Sequence, residues 1–184
     1  FDKPKMVAVG PGLAFGIEMA KANPLVKIGL IPSAVGGTAI ESWEPSVMDP
    51  VTKAYPYDDA VARLNTAMKN GLIKGIIWHQ GEANSTPERA PDYLVKLELL
   101  IGRLRKVAGD NNIPFVAGEL GRYRDSYKLV NDKLELLPGK VPNTAVASSE
   151  GLTHKGDNTH FDAASATELG KRFAAQMIRL QKTK

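Results

Sequence analysis

The 184 residues are 43% hydrophobic and 24% charged, proportions that fit one globular domain with a substantial core. The formal charge of +4 comes from Lys and Arg scattered among Asp and Glu, which leaves no basic stripe for nucleic acid. The absence of cysteine excludes disulfides and thiolate catalysis, and no apolar run approaches the roughly 20 residues of a membrane-spanning helix.

Taken in order, the chain alternates strands and helices, which implies a layered α/β domain around a parallel sheet. Met6-Val7-Ala8-Val9 is a short apolar run. Gly10-Pro11-Gly12 opens a helix with Leu13, Ile17 and Ala20 on one face, ended by Asn23-Pro24. Val26–Ile31 reads as the first strong strand and runs into the glycine-rich turn Pro32-Ser33-Ala34-Val35-Gly36-Gly37-Thr38. Glu41 to Tyr57, with Trp43, reads as a surface loop over a cleft. Asp58 to Asn70 forms a helix with Val61, Leu64 and Met68 aligned and Gly71 after its end.

Gly75–Trp78 is a second buried strand, followed by His79-Gln80-Gly81-Glu82-Ala83-Asn84. Leu94, Leu97, Ile101, Leu104 and Ala108 stripe the longest amphipathic helix. Pro114–Gly118 is a third strand. Tyr127, Val130, Leu134 and Leu137 stripe another helix, closed by Pro138-Gly139. Thr144–Ser148 is a fourth strand. A polar turn, Gly156-Asp157-Asn158-Thr159-His160-Phe161-Asp162, leads into a last helix with Leu169, Phe173, Met177 and Leu180 on its face.

The polar candidates all follow the C-terminal ends of predicted strands, the edge where open parallel sheets bind ligands. Asp157 and His160 are three residues apart, which lets the carboxylate reach the imidazole Nδ1–H and leaves Nε2 free as a base. Gly36-Gly37 offers a backbone N–H that a ligand oxygen can approach closely, or is simply a tight turn. Gln80 offers an amide N–H to an oxyanion, or ties loops together. Glu82 suits a helix start, and His79 suits packing. His154, Asp157 and His160 also have the spacing of three metal ligands in one loop.

Three blocks carry a family resemblance: Ile31-Pro32-Ser33-Ala34-Val35-Gly36-Gly37-Thr38, Trp78-His79-Gln80-Gly81-Glu82-Ala83-Asn84 and Gly156-Asp157-Asn158-Thr159-His160-Phe161. They resemble the sialate O-acetylesterase and acetylxylan esterase group, which includes carbohydrate esterase family 6, within the SGNH-hydrolase superfamily. The resemblance spans essentially the whole chain. It implies a flavodoxin-like three-layer α/β/α sandwich and a serine esterase that removes acetyl groups from sugars. It also implies secretion or a periplasmic location, no cofactor, and acetylated oligo- or polysaccharide as the partner. Asp157 and His160 match the family's acid and base; Gly37 (or Gly36) and Gln80 fall where the superfamily places oxyanion donors.

One part is missing. The family's nucleophile lies in a Gly-Gln-Ser-Asn-Met-type block after the first strand, and this chain has no such block. Ser33, Ser85, Ser148 and Ser149 are near predicted strand ends but none is in a nucleophile context. The expectation is therefore a single domain over residues 1–184, N-terminally incomplete. An upstream segment, on the order of 40–60 residues, would supply the serine and a first strand between Val26–Ile31 and Gly75–Trp78. Two rivals are a metal-dependent hydrolase built on His154, Asp157 and His160, and a non-catalytic carbohydrate-binding module.

Overall fold

The computed structural model describes residues 9–182. In chain order it has helix α1 (Pro11–Ala22), α2 (Pro56–Met68), strand β1 (Ile76–Trp78), α3 (Tyr93–Val107), β2 (Phe115–Gly118), α4 (Lys128–Glu135), a short α5 (Leu137–Lys140), β3 (Thr144–Ala147) and α6 (Ala163–Lys182). The strands form one parallel sheet in the order β1-β2-β3. Each crossover between them carries a helix, as parallel pairing requires. No described helix is long and apolar enough to cross a membrane. The apolar run Met6–Val9 lies, except for Val9, outside the described residues.

Strand alternation sorts the core into two halves and makes three layers. Phe115 and Ala117 point to one face, where Tyr93, Leu97, Leu100, Ile101, Val130 and Leu134 are buried. Val116, Ala145 and Ala147 point to the other, where Leu169, Phe173 and Met177 of α6 pack with Phe15 and Met19 of α1. Leu97, Leu100 and Ile101 are fully buried; each contributes about 1.5–3 kcal/mol by leaving water.

Polar anchors fix where the strands and the last helix begin. Arg105, buried in the last turn of α3, donates from Nε to the Ile113 carbonyl (2.9 Å) and from Nη2 to those of Pro142 (2.9 Å) and Asn143 (3.1 Å). One side chain thus holds the entries to both β2 and β3. Asp162 caps α6: its Oδ1 accepts the Ser165 N–H at 2.7 Å. The predicted start of that helix at Asp162 is therefore its N-cap, and the predicted apolar face is the buried one.

Four expectations change. Val26–Ile31 forms no strand among the described residues: the run has no described strand partner, and Val26 (61%), Ile28 (36%) and Leu30 (45%) are exposed. The buried face of α1 is Phe15 and Met19, while Leu13 and Ile17 face outward, because α6 packs on the former pair. Glu41 to Tyr57 is not merely a surface loop. Ile40 and Trp43 sit in a 3-10 turn within the core, and the Trp43 ring meets Trp78 edge-on at 4.9 Å. Pro138-Gly139 does not close the preceding helix; it lies within α5, since proline fits the first turn of a helix.

Candidate active site

The loops leaving the C-terminal ends of the strands meet along one edge of the sheet. After β1, His79 donates from Nε2 to the Glu119 carbonyl just past β2 (3.2 Å), and its ring lies 5.7 Å from that of Phe161. That is the packing role expected of it. After β2, buried Glu119 accepts from the Ser149 backbone N–H (2.8 Å) and from Arg122, tying the end of β2 to the end of β3. Burial alone would raise the Glu119 pKa, but these bonds outweigh it and hold the carboxyl below its usual range.

The turn after β3 brings the expected pair together. Asp157 Oδ2 is 2.7 Å from His160 Nδ1, while Oδ1 accepts the backbone N–H groups of Thr159 (3.0 Å) and His160 (2.8 Å). The histidine bond, then the backbone bonds, hold the Asp157 carboxyl well below the usual carboxylate range. A carboxylate can only accept, so Nδ1 carries the proton and Nε2 is left with its lone pair. Among the described residues no side chain bonds to that Nε2.

The turn is held from both sides. Lys155 N–H donates to the His160 carbonyl at 2.9 Å, and Asp162 N–H to the Thr153 carbonyl at 3.1 Å. Tyr123, from the loop after β2, donates its hydroxyl to the Thr159 carbonyl at 3.0 Å and packs on both His154 and Phe161. Sequence reasoning gave Tyr123 no role, because it meets the turn 36 residues away in the chain.

Gly37 and Gln80 meet through Thr38. Gly37 has φ +83°, a left-handed conformation suited to glycine, and open space surrounds the position a Cβ would take. Its N–H has no acceptor among the described residues. Gln80, at the exit of β1, is buried, and its Nε2 donates to the Thr38 carbonyl (3.1 Å) and to Asn84 Oδ1 (3.0 Å). Both amide hydrogens are therefore engaged within the protein.

The orientation of these amides follows from their partners. Glu41 can only accept, so Asn84 turns Nδ2 toward it, at 2.9 and 3.1 Å. Asn84 Oδ1 then accepts from the Ile40 N–H (3.0 Å) and from Gln80. Lys96 (2.8 Å) and Arg89 (2.9 Å) pair with Glu41. Burial pushes the Glu41 pKa up, but the bonds from Lys96 and Asn84 prevail and bring it down to about 2. Tyr93, fully buried, donates to the Gln80 carbonyl at 2.7 Å and accepts from Trp78 Nε1 at 3.1 Å. Sequence reasoning missed Glu41 and Tyr93. It named Asn84 only as part of a motif.

Of the serines near predicted strand ends, Ser85, Ser148 and Ser149 are bound into the structure. Ser85 Oγ donates to the Gly81 carbonyl (2.9 Å), Ser148 Oγ to Glu119 (3.2 Å) and Ser149 Oγ to the Leu120 carbonyl (2.7 Å). No described serine hydroxyl bonds to His160. Among the described residues no group of three His, Asp or Glu side chains is placed to hold a metal. His154 Nδ1 instead faces two backbone N–H groups.

The chain is similar to several known proteins. A family model described as "Carbohydrate esterase, sialic acid-specific acetylesterase" matches residues 1–179. A probable carbohydrate esterase of Arabidopsis thaliana, At4g34215, is 31% identical over 180 residues, which is 94% of this chain and 65% of the relative. The chain thus spans about 65% of the length of that curated relative. The 1.6 Å X-ray structure of the Arabidopsis protein superposes with a TM-score of 0.86 at 28% identity, covering 97% of this chain and 72% of that one. XAC1771, a carbohydrate acetylesterase from Xanthomonas citri, gives 0.78 at 22% identity, over 95% of this chain and 41% of its own. NanS gives 0.58 at 16%, over 72% and 55%. At those identities the last two show likeness of fold alone.

Proposed function

Because the chain belongs to the family of carbohydrate esterases described as sialic acid-specific acetylesterases, we propose that it carries the acid and base of a serine esterase that hydrolyses O-acetyl esters on sugars. The observation that carries this proposal is the Asp157–His160 pair, 2.7 Å apart at the C-terminal edge of a parallel sheet, with the distal imidazole nitrogen unclaimed among the described residues. The nucleophile is a serine on a segment upstream of the described residues, on a strand that lies against β1. Support comes from the backbone of β1 itself. Ile76 N–H bonds the Pro114 carbonyl, so alternation turns the N–H and C=O of Ile77 to the other edge, where no described strand lies.

In the reaction the serine Oγ attacks the acetyl carbonyl carbon while His160 Nε2 takes the hydroxyl proton. Asp157 holds the Nδ1–H tautomer and stabilises the imidazolium. The tetrahedral oxyanion receives the Gly37 N–H and the serine's own N–H. The C–O bond to the sugar breaks as His160 returns the proton to the departing sugar oxygen. Water then attacks the acetyl-enzyme, again through His160, and releases acetate and free serine. Gln80 can join the oxyanion hole only by giving up its bond to Thr38 or to Asn84. In the observed arrangement it fixes the Gly37-Thr38 turn.

His160→Ala in the complete protein tests the assignment. Acetyl ester hydrolysis is expected to fall by about 10⁴-fold or more, as when a triad base is lost, with the far-ultraviolet spectrum unchanged. Wild-type turnover by the folded variant overturns the proposal.

A further inference from the structure

The turn that holds Asp157 against His160 is built around a second histidine. His154 Nδ1 accepts the backbone N–H of Gly156 at 3.0 Å and that of Asn158 at 3.2 Å. Both donors sit in left-handed backbone, with φ +109° at Gly156 and +52° at Asn158. Left-handed backbone is uncommon for a residue other than glycine and needs surrounding contacts to hold it. The backbone bridge between His154 and Phe161 closes the base of this loop. Tyr123 covers the imidazole face, with ring centres 5.0 Å apart.

We infer that His154 is a positioning residue for the Asp157–His160 pair, its unprotonated Nδ1 gathering two backbone N–H groups and so setting the shape of the catalytic turn. The inference rests on the esterase proposal only for its consequence in turnover. An acceptor at Nδ1 places the ring proton on Nε2. A second proton would put an N–H donor against two others, and the turn would lose its centre. The titratable and charged groups that face the turn include Tyr123 and Arg124 from the loop after β2 and Lys155, Asp157 and His160 on the turn itself. Lys155 Nζ lies 3.6 Å from Asp157 Oδ2, and Asp162, bonded to Thr153, stands at the base of the loop. Burial and then the neighbouring acidic groups keep the Tyr123 phenol protonated across the range in which imidazoles titrate.

Two variants separate positioning from bulk structure. His154→Asn retains a side-chain acceptor for the N–H two residues on, the geometry of an Asx-turn. His154→Leu retains volume and removes the acceptor. In the complete protein His154→Leu should lower kcat on the order of 10²-fold, the cost of a misplacement near 1 Å, with KM nearly kept, and His154→Asn should recover most of that loss.

Long-range ¹H–¹⁵N correlation spectra of the histidine rings supply a readout that needs no turnover. They should show His154 Nδ1 unprotonated at neutral pH, and the Gly156 and Asn158 amide signals should titrate with that ring. A proton on Nδ1 at neutral pH, amide signals indifferent to the ring's titration, or wild-type kcat in folded His154→Leu each overturns the inference. A protein that shows the expected tautomer and coupled amides but no esterase activity would refute the proposed function and leave the role of His154 in the turn intact.

Discussion

Asp157 grips His160 twice: Oδ2 meets the ring Nδ1 at 2.7 Å and Oδ1 meets the same residue's backbone N–H at 2.8 Å. One carboxylate therefore fixes both the tautomer of the imidazole and the position of its backbone. The two residues are neighbours on one turn, so their mutual contact is local, and Tyr123 from the loop after β2 braces that turn from outside.

The double grip has a pH consequence with a definite sign. The Asp157 carboxyl is held below its ordinary range, so its contribution to the folded state is present above the unfolded carboxylate pKa of about 3.9. That contribution is lost only as pH falls through the lower folded value. Acid inactivation above pH 4 must then come from a group other than this carboxylate. Carboxyl-carbon NMR should show Asp157 still ionised where activity has already vanished. Asp157→Asn should lower kcat on the order of 10⁴-fold, since the amide accommodates the wrong tautomer. A carboxyl that titrates together with activity would break the assignment.

This pair was legible because its geometry is local: a three-residue spacing in a polar turn after a strand. The Gln80 assembly was not, because its partners Thr38 and Glu41 come from a loop some 40 residues away, and Gln80 meets Thr38 across 42 positions. The same contrast runs through the fold. α6 carries one apolar stripe and the sequence names it correctly. α1 carries two, Leu13/Ile17 and Phe15/Met19, and only the presence of α6 decides which is buried. Val26–Ile31 has strand composition, yet a strand is defined by its neighbour, and no described neighbour lies beside it.

Gln80→Ala distinguishes a donor from a clamp. If Gln80 only reaches an oxyanion, its loss costs roughly 10²–10³ in kcat and leaves stability alone. In the observed network its removal takes the donor from the buried Thr38 carbonyl and one of two donors from Asn84 Oδ1, which keeps the Ile40 N–H. The orphaned carbonyl costs about 1–3 kcal/mol. The expectation is a clear drop in both kcat and the denaturant midpoint. An unchanged midpoint with reduced kcat would restore the simple donor role.

The edge of β1 that no described strand covers gives the last prediction. The order β1-β2-β3 matches the 3-4-5 part of a 2-1-3-4-5 sheet. Such a sheet needs one more strand beside β1 and another beyond it. The extended Val26–Ile31 run has the composition of the outer one, and its Val26, Ile28 and Leu30 side chains are exposed, as are Leu13 and Ile17 on α1. Apolar side chains left in water on two neighbouring elements form a surface that another segment should cover. An inserted strand would pair with Ile77 on one side and with the 26–31 run on the other, and its C-terminal end would emerge beside the Gly37 turn and the Gln80 loop. That is where the proposed attacking serine would stand. Hydrogen exchange can read the insertion directly. The Ile77 amide should exchange quickly in the isolated 184 residues and slowly in the complete protein, and the isolated chain should not hydrolyse acetyl esters until the upstream segment is added. If Ile77 remains unprotected in the complete protein, or if the isolated chain turns over p-nitrophenyl acetate at the complete protein's rate, then neither the strand nor its serine lies at this edge.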